Sequence, residues 1–301
     1  MTLQGIQLAV VAQALSTDPR QAARAARMMG ADGLQFDGVS SAFDLTQLSA
    51  SGLREFRHVL SSQNQSIASL RGDAGTRGFS IGADVDHAIA RISNLMEAAA
   101  GLGAPLVCID LGPLPAVLQV APPKPKVDPA MAGLIILPES ASAPPAAPEP
   151  TVPPPDPKFV SQMNAALDEL GRRADRYSCI IAFRSELASL ASLKRAVTSV
   201  NCPWFGIDLD PVVLARDRWN LDETFSHLGP LVRHVRGRDA IIGAENRTKP
   251  AAIGAGNVQW EHVIANLNES TYRGWITVDP LELNDRTSGA EVGVQFLRML
   301  L

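Results

Sequence analysis

Charged residues stand where short apolar runs of this chain stop. Asp37 closes the run 34–37, Arg71 closes 67–71, and Asp110 lies near the end of 105–111. A charged side chain at the end of a buried strand either contacts a ligand or caps the loop that follows, and both readings stand for these three. Glu186 lies two residues beyond Arg184, so it shares that residue's face if the strand continues. It is then a candidate acid; its other reading is a helix-start carboxylate favoured by the helix dipole. Among the five histidines, His58, His87, His227 and His262 fall in helical stretches, and His234 sits mid-strand as a hydrogen-bonded core residue. Gly254-Ala-Gly256 does not open a strand–helix turn of the dinucleotide-binding type and is explained as a turn. Cys108, Cys179 and Cys202 are odd in number, far apart and beside apolar runs, which reads as free thiols in a reducing compartment.

The elements that must position these residues alternate from end to end. Short runs rich in apolar and β-branched residues at 5–11, 34–37, 67–71, 105–111, 178–184, 204–210, 232–238 and 275–279 read as strands. Between them lie amphipathic stretches at 20–29, 53–60, 84–102, 158–176, 187–197, 214–228 (broken near Asn220), 261–268 and 290–301. Eight of each, in alternation, is the count of an α/β fold closed as a single (β/α)8 barrel, for which 301 residues is ample length. One region departs from this rhythm. Residues 113–157 hold 15 of the 22 prolines and no helical period, so a proline-rich loop insertion after strand four is expected rather than a domain. Its apolar island, 132–138, leaves open a docked surface loop or a lid over the barrel mouth.

Composition narrows the partners. A net charge of −4 supplies no field for nucleic acid or an anionic membrane. The apolar run near Met1 is too short to span a bilayer and lacks the basic start of a signal peptide, so the cytoplasm is the default. A homo-oligomer is left open.

Several stretches together resemble the xylose isomerase-like TIM-barrel superfamily of sugar phosphate isomerases and epimerases. DPRQAARAARMMGADGLQFD (18–37) is similar to its first helix and second strand, and DVDHAIARISNLMEAAAGLGAPLVCIDLG (84–112) to its third helix and fourth strand. FGIDLDPVVL (205–214) resembles the strand-six motif, VRHVRGRDA (232–240) the strand-seven motif, and IGAGNVQWEHVIANL (253–267) with YRGWITVDP (272–280) the last βα unit. The resemblance implies a site at the C-terminal ends of the strands, where a divalent metal (Mn, Mg, Co or Zn) is held by Glu, Asp with His, His, and Glu from strands five to eight. Such a metal polarises a sugar carbonyl while carboxylates carry a proton through an enediol.

Carried over residue by residue, that ligand set is largely replaced. The strand-five Glu falls on Arg184, the strand-six His on Val213, and the strand-seven His on Arg236. Asp210 survives, Arg238-Asp239 keeps the basic–acidic pair of strand seven, and the strand-eight Glu is shortened to Asp279. Arginine stays protonated and offers no lone pair to a metal. No metal is therefore expected, with Asp210 and Asp279 as its ligands if one binds. The candidate catalytic set is Asp210, Asp279 and Glu186; the candidate substrate-binding set is Arg184, Arg236, Arg238, Asp239, Arg71 and Asp110. Two functions follow: an isomerase or epimerase acting on or binding a sugar, sugar acid or sugar phosphate, or a non-catalytic relative that binds a ligand or a protein through the proline-rich insert. A nuclease reading would require a histidine-rich zinc site and a basic face, and the sequence carries neither.

Overall fold

The computed structural model describes residues 5–40, 44–104, 106–116 and 154–301. Eight parallel strands close on themselves: β1 (Gln7–Val11), β2 (Gly33–Asp37), β3 (Ser66–Asp73), β4 (Leu106–Asp110), β5 (Ile180–Arg184), β6 (Phe205–Leu209), β7 (Val232–Gly237) and β10 (Trp275–Val278). Each pairs with its sequence neighbours in the ring, and β10 pairs back onto β1 through Gln7↔Trp275 to Val10↔Val278. Around them run α1 (Pro19–Met29), α2 (Ala50–Ser61), α3 (Val85–Leu102), α4 (Pro157–Tyr177), α5 (Leu190–Thr198), α6 (Pro211–Arg216), α7 (Leu221–Leu228), α8 (Trp260–Glu269) and α9 (Arg286–Leu300). The expected barrel is present, and the proline-rich stretch falls between β4 and α4. Residues 117–153 of it, with the apolar island, lie outside the described residues.

Local chemistry explains the helix boundaries. Asp18 accepts the amide of Arg20 at 2.8 Å, Pro19 opens α1, and Gly30 closes it at φ 85°. Asp84 and Asp156 cap α3 and α4 in the same way. Ser49 accepts the Gly52 amide, so α2 starts at Ala50, earlier than its apolar period begins. Strand seven ends at Gly237, one residue short of its expected limit, and Asp239 instead begins a hairpin of β8 (Asp239–Ile242) and β9 (Thr248–Ala251) that the sequence pattern had not shown.

Alternation along each strand sends one set of side chains outward and one inward. Outward residues such as Val10, Phe36, Leu70, Ile109, Phe183 and Ile207 are buried against the helices and form the main core. Phe183 and Phe205 meet edge to face at 4.9 Å across β5 and β6. Inside the barrel the apolar filling is slight: Leu106, Cys108 and Ala182, backed by Ile180 and Trp275. Above this plug the interior is polar. No helix among the described residues is long and apolar enough to cross a membrane. Cys108 and Cys179 are buried free thiols and Cys202 is half-buried; burial pushes the Cys179 thiol up to about 12.

Candidate functional site

Inward positions at the strand ends build the barrel mouth. Asp37 ends β2, Arg71 lies near the end of β3, Asp110 ends β4, and Arg184 ends β5. Asp210 and Asp279 directly follow β6 and β10, and Arg236 precedes the last residue of β7. Arg184, Asp210, Arg236 and Asp279 thus share one end of one sheet, as the carry-over required. A cleft of about 690 Å³ opens there, lined by Asp37, Arg71, Asp110, Arg184, Glu186 and Arg236 together with the Asp73–Arg91 pair and apolar residues including Leu187 and Leu281.

One layer down, Asp208 and His234 fill the barrel interior, each side chain 1% exposed. His234 Nδ1 donates to Asp208 Oδ1 at 2.7 Å, and His234 Nε2 lies 2.7 Å from Thr277 Oγ. Arg184 Nη1 donates to Asp208 Oδ2 at 3.2 Å, and its Nε, without a hydrogen bond, stands 3.7 Å from Asp110. Burial alone would raise the Asp208 carboxyl, but His234 and Arg184 hold it at about 2. Burial likewise opposes a charged His234, yet the neighbouring Cys108 and the hydrogen-bonded Asp208 carboxylate raise it to about 10, which favours the imidazolium. Its two short hydrogen bonds agree with its reading as a hydrogen-bonded interior residue.

Across the barrel the guanidiniums are shared among carboxylates. Arg71 donates to Asp37 at 2.6 Å and to Asp279 at 3.1 Å. Arg236 donates through Nε to Asp279 at 2.8 Å and through Nη1 to Glu186 at 2.5 Å, with Asp210 3.6 Å away. Arg238 bridges Asp210 and Glu282, each at 2.6 Å. Burial raises the Asp110 carboxyl, the Gly112 amide and Arg184 only partly offsetting it. Glu186 moves the other way, because Arg236 outweighs the effect of its burial.

Not every expected residue reaches the cleft. Asp210 and Asp279 lie beneath the arginines with side chains 7% and 2% exposed, and Asp210 also caps α6 through the Val212 amide. Neither lines the cleft, so as candidate catalysts they are placed as supports. Asp239 does not line the cleft. Its carboxylate accepts the amides of Ala240, Gly254, Gly256 and Val258 at 2.8–3.3 Å, which leaves it tying a loop rather than facing a substrate. Gly254 stands at φ 86°, and a Cβ on Gly256 would meet Asp239 Oδ1 at 2.1 Å, so both glycines serve that knot. Asp208 and Glu282 belong to the networks and were not singled out. Asp208 carried a signal, since it lies two residues before Asp210 and so shares its strand face.

The donor set decides how well a divalent metal fits. Of the positions implied by the resemblance, Arg184, Val213 and Arg236 offer no lone pair, and the remaining carboxylates, Asp210 and Asp279, are bonded to guanidiniums. These residues do not fit the family's metal. Among the described residues one other group has ligand-type atoms close together, Cys108, Asp208 and His234. There the His and Asp atoms are spent on each other, and Arg184 is paired with the same carboxylate.

Comparisons with known proteins agree on the fold. The family model described as xylose isomerase-like TIM barrel matches residues 23–300. No curated protein matches the chain. Among solved structures, a xylose isomerase domain protein from Planctomyces limnophilus is 15% identical with a TM-score of 0.69, covering 100% of this chain and 98% of that one. A D-allulose 3-epimerase from Methylomonas sp. in complex with D-allulose is 16% identical with a TM-score of 0.67 over 99% of this chain and 98% of that one. The apo 3-keto-D-glucoside 4-epimerase from E. coli is 14% identical with a TM-score of 0.65 over 98% and 99%.

Proposed function

The chain belongs to the xylose isomerase-like TIM-barrel family, and from that premise we propose that its mouth takes a neutral sugar or polyol without a divalent metal. The observation that carries this reading is the state of the arginines. Arg71, Arg184, Arg236 and Arg238 are each paired with two or more carboxylates. Seven carboxyl groups (Asp37, Asp110, Glu186, Asp208, Asp210, Asp279 and Glu282) face four guanidiniums and His234, so with every group charged the mouth carries two excess negative charges, and one when Asp110 holds its proton. A phosphate or sugar acid would have to displace a carboxylate from its guanidinium and then sit beside it. Sugar hydroxyls need no such exchange, since Asp37, Asp110 and Glu186 line the cleft as acceptors. The D-allulose bound to the Methylomonas structure supports the ligand class.

Thermal-shift and calorimetric titrations with neutral ketoses, aldoses and polyols, run in a chelator beside their phosphorylated and carboxylated counterparts, test the reading. Neutral compounds should raise the unfolding midpoint and anionic ones should not. A larger shift from the anionic series, or binding that requires added metal, would overturn it.

A second reading, metal-free turnover, is favoured by one observation: Asp110 and Glu186 line the same cleft, and their surroundings push them in opposite directions. That is the pattern of an acid and a base. The Glu186 carboxylate would take a proton from the carbon beside a sugar carbonyl while the Asp110 carboxyl gives one to the carbonyl oxygen, so that a neutral enediol forms; the reverse transfers return a hydrogen to carbon and restore both groups. Exchange of that carbon-bound hydrogen with heavy water, followed by NMR in chelator, should be measurable and should disappear in Glu186→Gln. An absence of exchange in the wild-type protein with a bound sugar leaves binding as the function.

A further inference from the structure

The Arg236 guanidinium holds more carboxylates than an ion pair requires. Its side chain is 10% exposed, and it bonds Asp279 and Glu186 while standing 3.6 Å from Asp210 and 3.8 Å from Glu282. These carboxylates come from three connections, after β5, after β6 and after β10. Like charges do not converge unaided, because carboxylates gathered at a partly buried site repel one another. The cation between them is what draws them together.

We infer that Arg236 is the resident cation of the mouth, a built-in replacement for a divalent metal, and that its side chain fills a latent oxygen-donor cation site. The inference rests on the metal-independent reading above. Charge counting supports it. The four carboxylates are also touched by Arg71, through Asp279, and by Arg238, through Asp210 and Glu282. With Asp37, which Arg71 also holds, five negative charges face three guanidiniums and leave two; without Arg236 they leave three, so the vacated place favours a cation. The four donors are hard carboxylate oxygens, which suit manganese, magnesium or calcium. A guanidinium differs from such an ion in carrying its own donors and in being covalently fixed. It orders the carboxylates permanently, at no ion concentration, but it cannot accept a lone pair from a sugar oxygen. Arg236 would instead meet that oxygen with an N–H.

The test uses the full chain with the variants Arg236→Ala, Arg236→His and Arg236→Lys, and manganese(II) as the probe. Circular dichroism reports folding, and electron paramagnetic resonance of free manganese with thermal shift reports binding. Arg236→Ala should be destabilised in chelator and restored by manganese, and Arg236→His should bind it as well. Both should bind about 100-fold more tightly than wild type or Arg236→Lys, which keep a cation in place. Adding Asp279→Asn to Arg236→Ala should remove the binding. If Arg236→Ala does not fold even with manganese, Arg236→His decides in its place. A folded Ala or His variant that binds no better than wild type would overturn the resident-cation inference and leave the carbohydrate reading standing. Tight one-to-one manganese on the wild-type protein would overturn both.

Discussion

Two networks in the barrel mouth use the same residue types under different constraints. In the inner one, Asp110 and Asp208 are matched by Arg184 and His234, two charges against two, with Asp208 and His234 sealed from water. In the outer one, five carboxylates from β2 and from the connections after β5, β6 and β10 share Arg71, Arg236 and Arg238, and Glu186 and Glu282 are nearly half exposed. Desolvation explains the contrast. A sealed network must come close to neutrality because an unpaired buried charge costs several kcal/mol. A network open to solvent holds surplus carboxylates because water screens them. The sealed Asp208–His234 pair holds the barrel interior together, and under the proposed function a ligand meets the groups nearer water, Asp37, Asp110 and Glu186.

The largest expected effect breaks the sealed network. Asp208→Ala would leave Arg184 and His234 facing each other without their shared anion, and should cost about 3–5 kcal/mol in chemical denaturation. A loss below about 1 kcal/mol, within the range of an exposed pair, would erase the contrast between the two networks. Next in size is Asp239→Ala, which strips the shared acceptor from four amides and should cost about 1–3 kcal/mol. Because the knot lies beneath the loop and not in the cleft, sugar binding by the folded variant should change little. A selective loss of affinity would return Asp239 to the substrate-binding set.

The same contrast has a pH signature. His234 is raised from 6.5 to about 10, so the folded state keeps a proton that the unfolded chain releases earlier. Its contribution is fully present below pH 6.5 and is lost as pH rises through about 10. Asp208 acts at the other extreme: lowered from 3.8 to about 2, it stabilises above pH 3.8, and that stability is lost as pH falls through 2. Between pH 6.5 and 9, below the range where the buried Cys179 thiol contributes, the denaturation midpoint of wild type should decline. His234→Gln should flatten that decline. A wild-type profile already flat across this window would show that the imidazole is not held as a cation.

Much of the scaffold was legible before the fold was built. The alternation of strands and helices and the break at Asn220 are local signals, and the family resemblance laid over them put Arg184, Asp210, Arg236 and Asp279 on one rim. His234 was read as an interior residue from its mid-strand position alone. Partner choice was harder, because it depends on which strands meet around the ring. Asp37 and Arg71 are 34 residues apart and Arg71 and Asp279 are 208 apart, and no spacing rule links them. Asp239 was hard to place for the same reason: its four partners are backbone amides, brought to it by a hairpin whose strands, Asp239–Ile242 and Thr248–Ala251, are only four residues each. Helix starts were read late at Ala50 and Arg286 because the first turn carries caps and polar residues before the apolar period begins.

The smallest expected effect on stability sharpens the comparison most. Glu186→Gln removes one charge from the open network, where the Glu186 side chain is 47% exposed. An exposed ion pair contributes only about 0–1 kcal/mol, and glutamine still offers Arg236 an amide oxygen, so unfolding should hardly move. Ligand behaviour should move more, for two separable reasons. The cleft's surplus negative charge falls by one, so discrimination against phosphorylated sugars should relax even if neutral sugars bind as before. The group placed to accept a proton also disappears, so any exchange of a sugar's carbon-bound hydrogen should stop while affinity is retained. Asp208→Asn is the matching control in the sealed network, where stability should fall and the ratio of neutral to phosphorylated ligand affinity should hold. If Glu186→Gln instead destabilises the protein as much as Asp208→Asn does, the two networks are one unit and the division of labour fails.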